Sequence, residues 1–465
     1  MARAERFAWL LAAGFALAWC GLRAATQSIT IDEATSYQLF AAPSWELCFY
    51  SSSGNHVLNS LLTRASTRLF GLSEFTLRLP ALLGGAFYLA AAVALCRRLT
   101  PRPMLAWTLF ACMAFNPFVM DYLVAARGYG LAIGLLLAAV WAFSVDRRAL
   151  ASLCLGLSFC ANFSFAYVDG ALAAVFAIDA ARRARGWRAA IECLAPGALA
   201  AALLCGRTVW RYPRDQLYYG AQSLRESATS LLAATFDEWS PSLPDALTSL
   251  AAPLWPWLAA LFVAALVWQA ARVALGGPRL GRLLAYACGL ALLAHWLAFR
   301  FLHVPLPLAR TGLFFVPLAF LLIGIGGAQD GPLWQRRAAV AALLLCAVWF
   351  AGCLRLTHFK EWKFNADTRD LFVFLDGVRH SRGLRGVEID WRYSASLNFY
   401  REARGARDLP EFAFTEPHKE GQPGYVVSAE THLDFVRRQR LAIVYRNRFA
   451  GTLVALRAAD AASLR

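Results

Sequence analysis

Along this chain, long runs of nearly uniform apolar residues alternate with short clusters of charge. Crossing about 30 Å of hydrocarbon takes roughly 20 apolar residues in a helix. Eleven stretches approach that length: 7–25, 77–96, 104–120, 128–145, 149–165, 167–181, 189–206, 251–273, 282–302, 307–327 and 338–356. Runs that are apolar all round predict buried or membrane helices, whose backbone polar groups are satisfied within the helix itself. The fifth and sixth read as a tight hairpin turning through Phe163 to Val168. The first follows Arg3 and Arg6 and lacks a small-x-small cleavage site, so it reads as a retained membrane helix rather than a signal peptide.

The pattern breaks after Leu356. Residues 357–465 hold 18 Lys+Arg and 14 Asp+Glu, whereas the first 356 residues hold only 44 charges. Shorter periods take over: Thr368 to Val378 and Ser394 to Ala403 predict helices, Gly386 to Trp391 and Tyr425 to Ser428 predict strands, and Leu441 to Leu456 predicts strands in a hairpin. The fold class is therefore an α-helical polytopic membrane protein with a small C-terminal α/β domain, divided as 1–356 and 357–465. Two connections are long, 26–76 and 207–250; long ordered loops over a scaffold carry function more often than not.

Composition agrees with this division. Of 465 residues, 59% are hydrophobic and 16% charged, with mean hydropathy +0.46. Soluble domains carry roughly 25% charge, so soluble and disordered classes are both excluded. The net charge of +16 is nearly all arginine, grouped between apolar runs at Arg97-Arg98, Arg147-Arg148, Arg182-Arg183 and Arg336-Arg337. Such placement marks cytoplasmic loops, with anionic lipid rather than nucleic acid as the partner. It puts the N-terminus in the cytoplasm and, with eleven spans, the C-terminal domain on the outer side, together with both long loops. Eleven cysteines, an odd number without CxxC spacing, read as small buried hydrophobes.

Candidate chemistry gathers at the outer helix ends. The first outer loop opens Thr30-Ile31-Asp32-Glu33. Adjacent carboxylates at a membrane surface are costly unless paired or used, yet Thr30 as a helix cap and two acids near the dipole explain them equally well. The loop continues Gly54-Asn55-His56, where a lone His serves either a substrate or a structural hydrogen bond. Gly71-Leu72-Ser73-Glu74-Phe75-Thr76-Leu77-Arg78-Leu79-Pro80 leads into the second span, with Glu74 and Arg78 at i,i+4 spacing that favours a structural pair. Asp121-Tyr122 closes the third span and Ala126-Arg127-Gly128-Tyr129 opens the fourth; Asp121 is an acid candidate or an ion-pair partner of Arg127. Arg310, after Pro305-Leu306-Pro307-Leu308-Ala309, stands at a helix start suited to phosphate, or it is an interfacial arginine reaching for water. Trp210, Tyr212 and Trp239 interleave with charge in the 207–250 loop, as in an interfacial belt or a lid. Gly324-Ile325-Gly326-Gly327 lacks a nucleotide-binding context, and no Walker A sequence occurs.

Taken in order, the Asp-Glu after the first span, the Asn-His segment, the G-x-S-E-x-x-x-R-x-P run and the D-Y…A-R-G-Y pair resemble GT-C-type membrane glycosyltransferases. This is the superfamily of protein O-mannosyltransferases and aminoarabinose transferases, and the likeness is greatest to its bacterial family-39-like and Rgt-type branch. It covers residues 1–145 best. The resemblance implies an inverting glycosyltransferase at the outer face of a bacterial inner membrane. Its donor would be a polyprenyl-phosphate sugar and its acceptor a glycan, lipid or protein. It also implies catalytic roles for Asp32, Glu33 and Asp121, with Asp32 as base, and substrate contacts from His56, Arg127, Tyr129 and Arg310. A divalent cation, Mg or Mn, is compatible with the paired acids. The rival expectation is a transporter or flippase of a lipid-linked saccharide, in which the same charges bind or couple. The absence of a sequence repeat and the clustering of acids at helix ends favour the enzyme.

Overall fold

The computed structural model describes residues 3–216, 219–378, 387–406, 408–413 and 422–462. Contacts divide the chain into two compact units. One comprises Met1–Leu22, Cys48–Thr63 and Arg78–Arg355; the other comprises Arg23–Leu47, Arg64–Leu77 and Leu356–Arg465.

The first unit is a helical bundle, and the chain is a multi-pass membrane protein. Every one of the eleven expected spans contains a helix. Seven are long and apolar enough to cross a membrane by themselves, the longest running from Asp245 to Gly276. Pro103–Ala114 and Pro117–Val124 make one span bent by 53°. The break has a local cause: Pro117 lacks an N–H, and the Asn116 side chain accepts the Val119 N–H at 3.0 Å, which starts a new helix. Three apolar helices, Tyr129–Ser144, Arg148–Ala161 and Phe315–Ala328, are shorter. The hairpin expected near residue 163 is a helix end at Ala161, a one-turn Phe163–Phe165 segment and a new helix from Ala166.

Glycines set how closely these helices pack. A Cβ on Gly84 would lie 2.3 Å from the Gly130 backbone, and one on Gly156 would lie 2.2 Å from the Gly197 carbonyl. Without side chains at these points the backbones touch, as in other membrane helix pairs. All eleven cysteines are free thiols and ten are buried.

The second unit is built on a four-stranded sheet in the order β1-β2-β4-β3, from β1 (Glu388–Ile389), β2 (Gly424–Ser428), β3 (Ala442–Asn447) and β4 (Thr452–Leu456). The first two strands run parallel, and β4 is antiparallel to both of its neighbours. Gly386, where the first strand was expected to begin, lies outside the described residues. Sequence periodicity missed the helices Ala429–Arg438 and Ala458–Ala462; Val436 of the first joins Tyr425, Val427, Leu453 and Ala455 in the core.

This unit also takes parts of the first long loop. The helix Ile31–Ser36 continues as a π-turn through Ala41 and is fastened to the C-terminal segment. The Ile29 N–H donates to the Tyr400 hydroxyl and the Ile31 N–H to Asn365 Oδ1, both at 2.9 Å; Gln38 Nε2 donates to the Ala395 carbonyl at 2.9 Å. Glu74 finds its ion-pair partner here in Arg369, at 2.7 Å, a contact invisible to i,i+4 spacing.

Candidate functional site

Asp32 and Glu33 belong to the unit with the sheet, and their immediate surroundings differ. Glu33 is fully buried, and its Oε2 accepts from the Thr30 N–H at 3.0 Å and the Thr30 hydroxyl at 3.1 Å. Thr30 Oγ1 in return accepts the Glu33 N–H at 3.2 Å. This reciprocal capping box commits the Glu33 carboxylate to holding the helix start. Asp32, one position earlier and only half-buried, takes no part in the cap.

The remaining five candidates lie in the bundle. His56 precedes the helix Val57–Phe70 and is 7% exposed. Its Nε2 lies 3.5 Å from Asn162 Nδ2, its ring meets that of Tyr129 edge-on at 6.0 Å, and its Nδ1 is buried without a partner. Asn162 also donates to the Arg127 carbonyl at 3.3 Å, and Arg127 Nη1 donates to the Gly54 carbonyl at 3.3 Å. Burial, then the positive charges of Arg127 and Arg310, hold the His56 pKa well below its ordinary value. His56 is therefore neutral at pH 7, in surroundings made positive by Arg127 and Arg310. Aromatic rings frame the group: Tyr129 packs against Tyr122 and Phe165, and Phe165 against Phe314.

Two backbone features aim these side chains. Gly128 sits at φ +76°, and a Cβ there would lie 2.1 Å from the Ala161 carbonyl oxygen. Only glycine lets the chain turn between Arg127 and Tyr129 while pressed against the residue before Asn162. Ala309, just before Arg310, is in the left-handed region at φ +41°. Its N–H is taken by the Ser230 hydroxyl at 3.0 Å, so the 207–250 segment holds this strained turn in place. The same segment lays the Tyr219 ring under the Arg310 guanidinium at 4.5 Å.

Asp121 forms a second group. Its Oδ2 accepts from Arg355 Nη2 at 2.5 Å, and Arg355 Nη1 lies 3.7 Å from Glu238 Oε2. Arg355 and Asp121 are buried, and Glu238 is nearly so. Burial opposes the Arg355 charge, but Asp121 and then Glu238 outweigh it and raise the pKa.

Asn162 thus links His56 to the Arg127 carbonyl, Tyr129 packs on the His56 ring, and Asp121 has the ion-pair partner Arg355. Asn162 and Arg355 were not singled out from sequence, though both left a trace. Asn162 is a polar residue between two apolar runs, and Arg355 is the only Lys, Arg, Asp or Glu between Arg337 and Lys360. Among the described residues, no three His, Cys, Asp or Glu side chains come together as a metal-ligand set.

No family model matches the chain, and no curated protein sequence does. Two solved structures, both of ArnT from Cupriavidus metallidurans, share its fold. The apo form matches with a TM-score of 0.52 at 13% identity, covering 98% of this chain and 99% of that one. The form bound to undecaprenyl phosphate matches with a TM-score of 0.53 at 15% identity, covering 100% and 99%.

Proposed function

For a chain with the fold of GT-C-type membrane glycosyltransferases, we propose that it transfers a sugar from a polyprenyl-phosphate donor to an acceptor hydroxyl at the outer membrane face. The observation that carries this reading is a buried His56, kept neutral by its burial and by the positive charges of Arg127 and Arg310, set edge-on to Tyr129 in a frame of aromatic rings. Two guanidinium groups suit a phosphate monoanion or dianion, and an apolar frame strengthens their hold. His56 Nδ1, buried without a hydrogen-bond partner among the described residues, is available to hydrogen-bond the donor.

The acceptor oxygen attacks the anomeric carbon from the face opposite the phosphate. A C–O bond forms as the bond from that carbon to the phosphate oxygen breaks, so the configuration inverts. The departing electron pair goes to the polyprenyl phosphate, where Arg127 and Arg310 stabilise the growing charge. The acceptor proton passes to a carboxylate, for which Asp32 is the nominated base. Glu33 keeps Asp32 on a fixed helix start. That ArnT has been crystallised with undecaprenyl phosphate makes this lipid the first donor carrier to try.

The test uses purified protein in lipid nanodiscs with a panel of labelled polyprenyl-phosphate sugars, with EDTA, Mg²⁺ or Mn²⁺ as separate arms. Transfer by wild type, with about a 10²–10⁴-fold lower kcat in Asp32→Asn at equal thermal stability, supports the reading. Equal turnover in Asp32→Asn removes Asp32 as base. Saturable donor binding and movement across the bilayer without transfer would replace the enzyme by a transporter.

A further inference from the structure

Arg355 stands where two structural facts meet. One is its buried ion pair with Asp121. The other is the docking of residues 236–240 on the last turn of the helix Leu333–Cys353. Ser240 donates its N–H to the Gly352 carbonyl at 3.0 Å, and Trp349 Nε1 donates to the Phe236 carbonyl at 3.0 Å. The Trp239 ring meets Trp349 edge-on at 4.7 Å and lies over Gly352, where an added Cβ would be 2.5 Å from the indole. Glu238, in the middle of this docked stretch, is the second acid beside Arg355.

We propose that Arg355 is a positioning residue that ties the placement of the Asp121 carboxylate to the docked state of the 236–240 segment. The inference rests on the glycosyl-transfer reading, together with the catalytic role that the resemblance implies for Asp121. One guanidinium faces both acids through different nitrogens: Nη2 donates to Asp121 at 2.5 Å, and Nη1 stands 3.7 Å from Glu238 Oε2, an ion pair beyond hydrogen-bond reach. When the segment is docked, Glu238 restrains the guanidinium and so the Asp121 rotamer. When it lifts, Arg355 loses one of its two anchors inside a site too buried for water to replace it. The longer 207–250 connection, to which residues 236–240 belong, also contributes Tyr219 and Ser230, which rest on Arg310 and Ala309. Docking therefore acts on the proposed phosphate site and the carboxylate together, so that Asp121 is set only when the segment is seated.

Arg355→Met removes the ion-pair partner of a buried carboxylate and endangers folding, so the informative variants are Arg355→Lys, Glu238→Gln and Gly352→Val. A compact ammonium on a flexible stem does not serve two acids in fixed directions. We expect Arg355→Lys to fold, to keep its donor KM within threefold and to lose at least 20-fold in kcat. Glu238→Gln and Gly352→Val, which touch neither Asp121 nor donor, should each lower kcat about tenfold and raise backbone hydrogen exchange over 236–240. Wild-type kcat in Arg355→Lys overturns the proposal, as does a faster-exchanging segment with unchanged kcat in Glu238→Gln. If wild type turns over none of the donors, the glycosyl-transfer reading fails on its own. The coupling is then judged by exchange: unchanged exchange over 236–240 in Arg355→Lys overturns it.

Discussion

Arg355 and Asp121 are 234 residues apart in sequence and 2.5 Å apart in space, Nη2 to Oδ2, with both side chains buried. Breaking such a pair strands a charge where water does not reach. Arg355→Met should lower stability by about 3–5 kcal/mol, whereas the double change Asp121→Leu with Arg355→Met should recover most of that loss. Thermal unfolding in detergent reads both; equal midpoints for wild type and the single variant would mean that the site is solvated.

His56 should give the protein an acid-sensitive stability. Burial, helped by Arg127 and Arg310, depresses its folded-state pKa below 6.5. Below that pH the unfolded chain binds a proton that the folded chain refuses, so stability falls as pH drops, by up to about 1.4 kcal/mol per unit. His56→Gln should flatten this slope between pH 6.5 and 5. A slope unchanged in the variant would assign it to other groups.

Glu33 and Asp32 should separate cleanly although they are neighbours. Removing the capping carboxylate in Glu33→Ala should cost about 1–2 kcal/mol of stability. Glu33→Gln retains an oxygen for the Thr30 N–H and should stay within threefold of wild-type turnover. A hundredfold loss in Glu33→Gln at unchanged stability would make Glu33 a reacting group rather than a cap.

Gly128 should tolerate no side chain. Gly128→Ala combines φ +76° with a Cβ 2.1 Å from the Ala161 oxygen. The helix Arg148–Ala161 must then retreat from Tyr129, at a cost of at least about 2 kcal/mol. Donor binding should weaken more than in Gly170→Ala, a position with open space around it. Equal binding in the two variants would show that the Arg127–Tyr129 turn does not shape the donor site.

Much of the architecture was readable one residue at a time. Hydropathy placed eleven helices because a membrane helix satisfies its own hydrogen bonds, leaving only length and apolarity to judge. The Thr30–Glu33 cap was visible because its partners are three residues apart. Strands and helices of the C-terminal segment were mostly legible by period; the helix Ala429–Arg438 was passed over although Ala429, Leu433 and Val436 recur at helical spacing, since three positions in a ten-residue helix make a narrow stripe.

Membrane class, helix succession and the pool of charged candidates are legible along the chain, since they follow from local composition and from contacts within one helical turn. Which candidates meet is a matter of tertiary packing. His56 reaches Asn162 across 106 residues, Arg355 reaches Asp121 across 234, and Glu74 pairs with Arg369 across 295. The first two meetings depend on how bundle helices cross, and glycine contacts such as Gly84 on Gly130 and Gly156 on Gly197 let helix backbones in that bundle touch. A crossing is a property of two surfaces packed together, and neither helix's sequence contains it alone.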